Sequence, residues 1–361
     1  MIRKLTLMGD HLSMGRQHAA QVSDLKSQVT TVMNRRLTDM QNLPAEANQL
    51  TSEIAELWEV EARSTLDMLK GIAEVLGFEW RAYLRYTLAS FLTDWFRRAV
   101  VTEGCTVWAT AAPKTKPEMP MLAKNRDYRP DHLSLQCLAW AQPEHAYRYI
   151  YLTSAASPGV FSSGMNERGL VVADTHVQSL DIGPGIPRYA VMMELLEKHE
   201  RVNSALDYLK GMRHLGDGNL VLLDAEGNMA VVEAGHSGVQ VLYPQEGYVV
   251  ATNHFASTPL LDRWVDSSSE RLRGNTFARN ARVASALHTS CQEIDLDWMM
   301  DLSRAHGTHL DSICRHPAIE AQSITIASAI YLPVQKQLYL ANGLPCQETY
   351  QMFSLHGGLE S

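Results

Sequence analysis

The stretch GCTVWATAA, residues 104–112, decides how this chain is organised. It is rich in β-branched and small residues and ends at Pro113, a pattern typical of a β-strand that begins at Cys105. Helix-rich sequence precedes it, and strand-rich sequence follows it. The dipeptide Gly104-Cys105 therefore marks a change of architecture.

The sequence before this strand predicts helices. From Thr51 to Leu76, apolar residues recur with the spacing of one helical face and no proline interrupts them, which predicts one helical stretch. A second helical stretch, rich in aromatic residues, follows Gly77 and runs almost to Gly104.

The sequence after residue 113 predicts strands, with helices in two places. The predicted strands and hairpins occupy residues 120–128, 147–153, 169–173, 219–233, 238–243, 248–253 and 323–342, and the helical regions occupy residues 188–212 and 268–305. No internal repeat, low-complexity tract or linker divides the chain. The economical arrangement is a single domain, residues 1–361, with two sheets flanked by helices.

Composition argues against several classes of function. The formal net charge is −8 at pH 7 and the Lys and Arg residues are scattered, which argues against a nucleic-acid partner. The first residues lack the apolar core of a signal peptide, and no run of about 18 apolar residues occurs. We therefore expect a cytoplasmic protein that binds no membrane.

The cysteines, at positions 105, 137, 291, 314 and 346, are odd in number and widely spaced. No Cys-x-x-Cys pair occurs among them, so their spacing suggests neither a disulfide framework nor a zinc site. One reactive thiol among inert ones fits this pattern better.

The dipeptide Gly104-Cys105 has the chemistry of a self-cleavage junction. The Cys105 thiol can attack the Gly104 carbonyl through a five-membered ring, and hydrolysis of the resulting thioester leaves Cys105 as a new N-terminus. A free α-amine has a pKa of about 7.7–8.0 and can accept the thiol proton near neutrality. Cys105 would then carry nucleophile and base on one residue, with no histidine partner required.

Several segments together resemble the acyl-coenzyme A:isopenicillin N acyltransferase family, a branch of the N-terminal-nucleophile hydrolases related to bile salt and penicillin V amidases. The resemblance spans nearly the whole chain. Its segments lie at residues 9–19 (GDHLSMGRQHA), 104–106 (GCT), 125–128 (NRDY), 164–170 (GMNERGL), 224–233 (DAEGNMAVVE), 252–254 (TNH) and 313–316 (ICRH).

This resemblance implies an α+β protein with the αββα four-layer sandwich of the N-terminal-nucleophile hydrolases. It also implies synthesis as one precursor, a zymogen, that cuts itself before Cys105 into a helix-rich α piece (1–104) and a strand-rich β piece (105–361). The implied activity is acyl transfer or amide hydrolysis without a metal or other cofactor. The expected partners are a small-molecule amide or acyl-coenzyme A substrate and the two pieces of the chain, and assembly into a homo-oligomer stays open.

The resemblance also assigns roles to individual residues. Asp127 is expected to hydrogen-bond the freed amine of Cys105, and Asn253 to donate a hydrogen bond to the oxyanion. Arg315 is the first candidate for an active-site arginine, with Arg271 as its competitor.

The residues expected to contact substrate are Thr106, Lys124, Thr175, His176 and Arg271. Related bile salt amidases have an asparagine at the place of His176, so Thr175 or His176 would line the pocket differently. They also have an arginine at the place of Lys124, so the preferred substrate charge would differ.

Two other functions stay open beside an amidohydrolase or acyltransferase that acts on a small N-acyl compound. One is an uncleaved, catalytically silent homologue that binds a small ligand. The other is a papain-like protease that uses His254 or His309 as its base, although a structural role for His254 is favoured.

Overall fold

The computed structural model describes residues 2–97, 104–116, 119–266, 268, 270, 273–290, 294–307, 310–316 and 323–357. Its strands, in chain order, are β1 (Arg3–Gly9), β2 (Gly104–Thr110), β3 (Met121–Tyr128), β4 (Gln136–Pro143), β5 (Tyr149–Ser154), β6 (Ser163–Asn166), β7 (Val171–His176), β8 (Gly218–Leu223), β9 (Met229–Gly235), β10 (Gly238–Leu242), β11 (Tyr248–Ala251), β12 (Ile324–Leu332), β13 (Gln337–Ala341) and β14 (Gln351–Ser354).

Within the described residues these strands form two sheets. An eight-stranded sheet has the order β1-β4-β5-β6-β7-β8-β9-β10, and a six-stranded sheet has the order β11-β2-β3-β12-β13-β14. Neighbouring strands are antiparallel except β1 and β4, which are parallel.

The helices are α1 (His11–Gln21), α2 (Lys26–Asp39), α3 (Glu46–Glu61), α4 (Arg63–Leu76), α5 (Trp80–Thr87), α6 (Ala89–Arg97), α7 (Arg188–Lys198), α8 (Val202–Lys210), α9 (Asn275–Thr289) and α10 (Leu296–Arg304). Of the helices in the described part of the chain, none combines the length and the apolar character that crossing a bilayer requires.

Three apolar clusters show how these elements are layered. Helices α1 to α8 share one core with the eight-stranded sheet, to which Leu69 of α4 contributes. Val107 of β2 and Leu138 of β4 belong to a second core, which lies between the two sheets. Trp108, on the opposite face of β2, joins Val283 of α9 in a third core. The fold is therefore the expected α+β, αββα four-layer sandwich.

Several details differ from the sequence-based predictions, and two of them affect the helical layer that packs on the eight-stranded sheet. The helical stretch from Thr51 to Leu76 is broken at Ala62, whose φ of −137° and ψ of 42° lie outside the helical region. An unbroken helix of that length would extend about 39 Å, and the break lets both halves pack in one layer. The helix-rich N-terminal region also contains β1, a half-buried edge strand paired with β4 that helical periodicity did not reveal.

Candidate active site

The six-stranded sheet brings residues from distant parts of the sequence to Cys105. Strand β2 lies between β11 and β3, and the register places Gly104 opposite Asp127. Asn253 follows β11, which pairs with β2, so the strand order carries its side chain to the start of β2. Strand β12 pairs with β3 and places Thr325 opposite Asp127.

Both backbone groups of Cys105 are held by side chains. Its N–H donates to Asn253 Oδ1 at 3.0 Å, and its carbonyl accepts a hydrogen bond from Arg279 Nη1 at 2.7 Å. The side chain is buried, and burial raises the pKa of the thiol although the nearby charge of Lys124 opposes this shift. The thiol is therefore protonated at neutral pH, and a role as nucleophile would require a base.

The side-chain amide of Asn253 is oriented by partners that can each act only as a hydrogen-bond donor or only as an acceptor. Its Oδ1 accepts from Cys105 and from Arg279 Nη2, the latter at 2.7 Å, while its Nδ2 donates to the carbonyl of His176 at 2.8 Å. A guanidinium can only donate and a carbonyl can only accept, so the amide cannot be turned over. Asn253 thus binds the nitrogen of residue 105 directly.

Arg279 is a site residue that the sequence analysis missed. Besides Cys105, its guanidinium donates to Thr106 Oγ1 at 2.9 Å and to Asn275 Oδ1 at 3.0 Å. Burial, together with the charge of Arg315, lowers the pKa of Arg279 to about 10, so it remains charged at neutral pH. The available signal was its position in the buried stripe of α9, four residues before Val283, where a charged residue is unusual.

Asp127 and Arg315 lie beside the Gly104–Cys105 bond. Asp127 Oδ1 accepts a hydrogen bond from Thr325 at 2.6 Å, and Oδ2 is 3.8 Å from Arg315 Nη1. Among the described residues no group donates a hydrogen bond to Oδ2. Burial raises the pKa of Asp127, against the attraction of Arg315. A Cβ atom at residue 104 would lie 2.2 Å from Arg315 Nη1, which explains a glycine there.

Lys124 lies in the wall of the same site, but its ammonium group donates its hydrogen bonds to other groups of the protein. It donates to the carbonyls of Ser162 and Asp174 and to the Asp174 carboxylate, which also accepts from Arg188 Nε at 3.1 Å. Since an ammonium group has three donors, Lys124 reaches a ligand through its charge rather than through a further hydrogen bond.

The remaining sequence-predicted residues have defined partners. Thr175 donates to the carbonyl of Thr252 and so supports the segment before Asn253. His176 Nε2 contacts Asp94 Oδ2 at 2.6 Å, which ties β7 to α6. Arg271 and His309 lie outside the described residues.

His254 fits a structural role better than that of a catalytic base. Its Nδ1 contacts Thr252 Oγ1 at 3.1 Å and Thr276 Oγ1 at 2.9 Å. Burial, with the charge of Arg279, lowers the pKa of His254 to about 4, so the ring is neutral at neutral pH.

A cavity of about 120 Å³ opens at Cys105. Phe91 of α6 lies in its wall, as do Phe161 and Tyr189, whose stacked rings have centroids 4.1 Å apart. Arg126, opposite Cys105 in the β2–β3 register, adds a cationic group. Residues that precede the Gly104–Cys105 bond and residues that follow it therefore line the same cavity.

Residues 114–346 match the model of a family described as acyl-coenzyme A:6-aminopenicillanic acid acyl-transferase. The match covers nearly two thirds of the chain. The chain belongs to this family. Membership confirms the resemblance and supports an enzyme that transfers or hydrolyses acyl groups of N-acyl compounds. The matched region includes Asp127, Asn253, Arg279 and Arg315 and begins after Cys105.

Solved structures similar to this acyltransferase-family chain include two variants of the conjugated bile acid hydrolase from Clostridium perfringens. They share 13% and 14% sequence identity with it at a TM-score of 0.47, and each match covers 69% of this chain and 96% or 97% of the hydrolase. Penicillin V acylase from Agrobacterium tumefaciens matches at 13% identity and a TM-score of 0.41, over 69% of this chain and 86% of the acylase. Among curated proteins no significant match was found.

Proposed function

We propose that this protein is a self-processing amidohydrolase or acyltransferase that acts on a small N-acyl compound through an acyl-enzyme on Cys105. The observation that carries the proposal is the pair of hydrogen bonds that hold the backbone of residue 105. Its nitrogen is bound by Asn253 and its carbonyl by Arg279, while its thiol faces the cavity. A nucleophile held at both backbone groups is preorganised for attack.

In maturation, the Cys105 sulfur attacks the Gly104 carbonyl, the C–N bond breaks as the C–S bond forms, and the thiol proton passes to the released nitrogen of residue 105. Water then hydrolyses the thioester, which leaves a carboxylate on Gly104 and returns the thiol of Cys105. The new amine keeps its hydrogen bond to Asn253 Oδ1. Asp127 Oδ2 is the second acceptor, because it accepts no other bond among the described residues and lies beside residue 104. Two acceptors fix the neutral amine in place, and the Asp127 carboxylate stabilises the positive charge that the amine gains when it takes the thiol proton.

In turnover, the amine takes the thiol proton while sulfur attacks the substrate carbonyl. One Asn253 N–H is committed to His176, which leaves its second N–H for the oxyanion. The amine then protonates the leaving nitrogen, and water or an acceptor amine attacks the thioester to release a carboxylic acid or a new amide. Hydrolysis is the favoured outcome, because water is always available.

The cavity supports an N-acyl compound with an apolar acyl group. Its volume is close to that of cavities that hold one small aromatic molecule, and Phe91, Phe161 and Tyr189 present rings to it. The charges of Lys124 and Arg126 at the same wall favour a neutral or anionic leaving part.

Intact-mass measurement tests the proposal first. Self-processing gives pieces of 104 and 257 residues with Cys105 at the start of the larger one, and Cys105→Ala should leave the whole 361-residue chain. The matched control, Cys137→Ala, replaces another buried thiol and should cut itself normally.

Activity is then measured with N-acyl amines, penicillins and acyl-coenzyme A esters, using labelled water and added amines to separate hydrolysis from transfer. A wild-type chain that stays whole yet binds these compounds saturably would establish the silent binding homologue instead. Turnover that survives Cys105→Ala would refute the acyl-enzyme.

A further inference from the structure

We infer that the chain contains a structural zinc site formed by Cys314, Cys346, His306 and His316. These residues come from three separate segments, and their ligand atoms all lie within 4.8 Å of one another. The site lies apart from the catalytic cavity, although Arg315 stands between two of its ligands.

Four of the six distances between the ligand atoms are close to those of a tetrahedral metal site, and all six lie within 4.8 Å. Cys314 Sγ is 3.6 Å from Cys346 Sγ and 3.7 Å from His316 Nε2. His316 Nε2 is 3.1 Å from both His306 Nε2 and Cys346 Sγ. Zn–S bonds of about 2.3 Å and Zn–N bonds of about 2.0–2.1 Å give ligand–ligand distances of about 3.3–3.8 Å in a tetrahedron. Small side-chain rotations bring the observed distances to these values.

The ligand types favour zinc over magnesium and calcium. Two thiols and two imidazoles suit Zn²⁺, whereas Mg²⁺ and Ca²⁺ prefer oxygen ligands. Binding releases the two thiol protons, so the ion and two thiolates form a group with no net charge. Such a group leaves the attraction between Arg315 and Asp127 intact.

The backbone holds the ligand segments together. The Ala305 carbonyl accepts hydrogen bonds from the N–H groups of Ile313 and Cys314, both at 3.1 Å, which fixes His306 beside Cys314. Arg304 at the end of α10 donates to the carbonyl of Pro345 at 3.3 Å, which positions the loop of Cys346. These contacts support the ligands as outer partners do in metal sites.

The role of this site is to hold Arg315. With four protein ligands the site is closed, as structural zinc sites are, and it offers no position for substrate. Cys314 and His316 flank Arg315, whose guanidinium points at Asp127. A bound ion therefore fixes this segment relative to the end of α10 and to the loop before β14. Cysteine spacing could not predict the site, because its two cysteines are 32 residues apart and its other two ligands are histidines.

Metal analysis of protein purified without an affinity metal or chelator tests the inference. After dialysis the wild type should retain about one zinc per chain, and Cys346→Ser and His306→Ala should retain little. Cys137→Ser, which removes a buried thiol elsewhere, should retain the full amount. Chelation should lower the melting temperature of the wild type, and added Zn²⁺ should restore it.

Cobalt substitution of the wild type keeps the test independent of how the variants fold. Stripped protein titrated with Co²⁺ should develop the visible bands of a tetrahedral ion with two thiolates, with an end point at one ion per chain. Absence of these bands, zinc content unchanged in both ligand variants, or a Cys314–Cys346 disulfide in peptide maps of the purified protein would each overturn the inference. None of these measurements depends on catalytic activity.

Discussion

Replacing Gly104 with alanine should slow self-cleavage, because the added methyl group collides with Arg315. A Cβ atom at residue 104 would lie 2.2 Å from Arg315 Nη1 and 3.4 Å from Asp127 Oδ2. The guanidinium must therefore retreat by about 1.2 Å to reach ordinary contact distance. The clash involves the end of a flexible side chain, so the fold tolerates the change.

Three distances give the size of the effect. Arg315 Nη1 and Asp127 Oδ2 are 3.8 Å apart. Movement directly away from the methyl group lengthens this separation to about 4.5 Å and weakens the attraction by about 0.7 kcal/mol at an effective dielectric constant of about 20. The pKa of Asp127, already raised by burial, then rises further, because the opposing charge of Arg315 is more distant. If the transition state needs this ion pair, cleavage slows about threefold.

The assay follows the disappearance of the whole chain and the appearance of the 257-residue piece by mass spectrometry. Gly211→Ala is the matched control, because a Cβ atom there meets its nearest neighbour at 3.6 Å and the backbone φ is −91°. In an Arg315→Ala background the Gly104→Ala change should cost nothing further, since the guanidinium is gone. Cleavage at the wild-type rate, or equal slowing in both backgrounds, would refute the reasoning.

Three more predictions concern the residues that hold the nucleophile. Asn253→Ala should lower kcat by about 10²–10³-fold, the usual loss when an oxyanion donor is removed, and a steady-state assay showing kcat unchanged with only KM raised would contradict that role. Arg279→Lys keeps the charge but loses the planar guanidinium. The free energy of unfolding, measured by urea denaturation, should therefore fall by the value of one or two charged hydrogen bonds, each about 1.5–3 kcal/mol. Arg282→Lys, at a half-buried neighbour on α9, should change this free energy little, and equal losses would argue against a special role for Arg279. Gly104→Val brings a bulkier side chain against Arg315, and the fraction that mass spectrometry shows to be whole is labelled with iodoacetamide. Burial raises the pKa of its Cys105 thiol above the usual value of 9.0, so the thiolate is scarce at neutral pH and labelling should keep accelerating above pH 9; a plateau near neutrality would refute this.

The sequence predicted the layers of this fold better than its individual elements. The strand at the Gly104-Cys105 junction followed from its β-branched and small residues, and the helices followed from apolar spacing, which reports the buried face. The four-layer order followed from the family resemblance. Periodicity did not reveal the break at Ala62, because the apolar stripe continues on both sides of it. It also did not reveal β1, whose partner β4 lies more than a hundred residues away.

The candidate site was predictable only where a motif named a residue. The structure brings Asp127, Asn253 and Arg315 close to Cys105, as the resemblance implied, although their catalytic roles remain proposals. Arg279 belongs to no recognised motif and contacts the nucleophile only because α9 packs on β2. Such contacts depend on tertiary packing, which sequence spacing does not contain.

The pairing between β1 and β4, which we call the seam, has a consequence for the protein after the proposed cleavage. Seven registered residue pairs, from Arg3–Cys137 to Gly9–Pro143, join the segment before residue 104 to the segment after it. Breaking one peptide bond in the other sheet leaves this seam closed and keeps Phe91 in the cavity wall. If the chain cuts itself as proposed, the shorter fragment should therefore stay bound as a subunit, and the cut protein should migrate in gel filtration as the whole chain does.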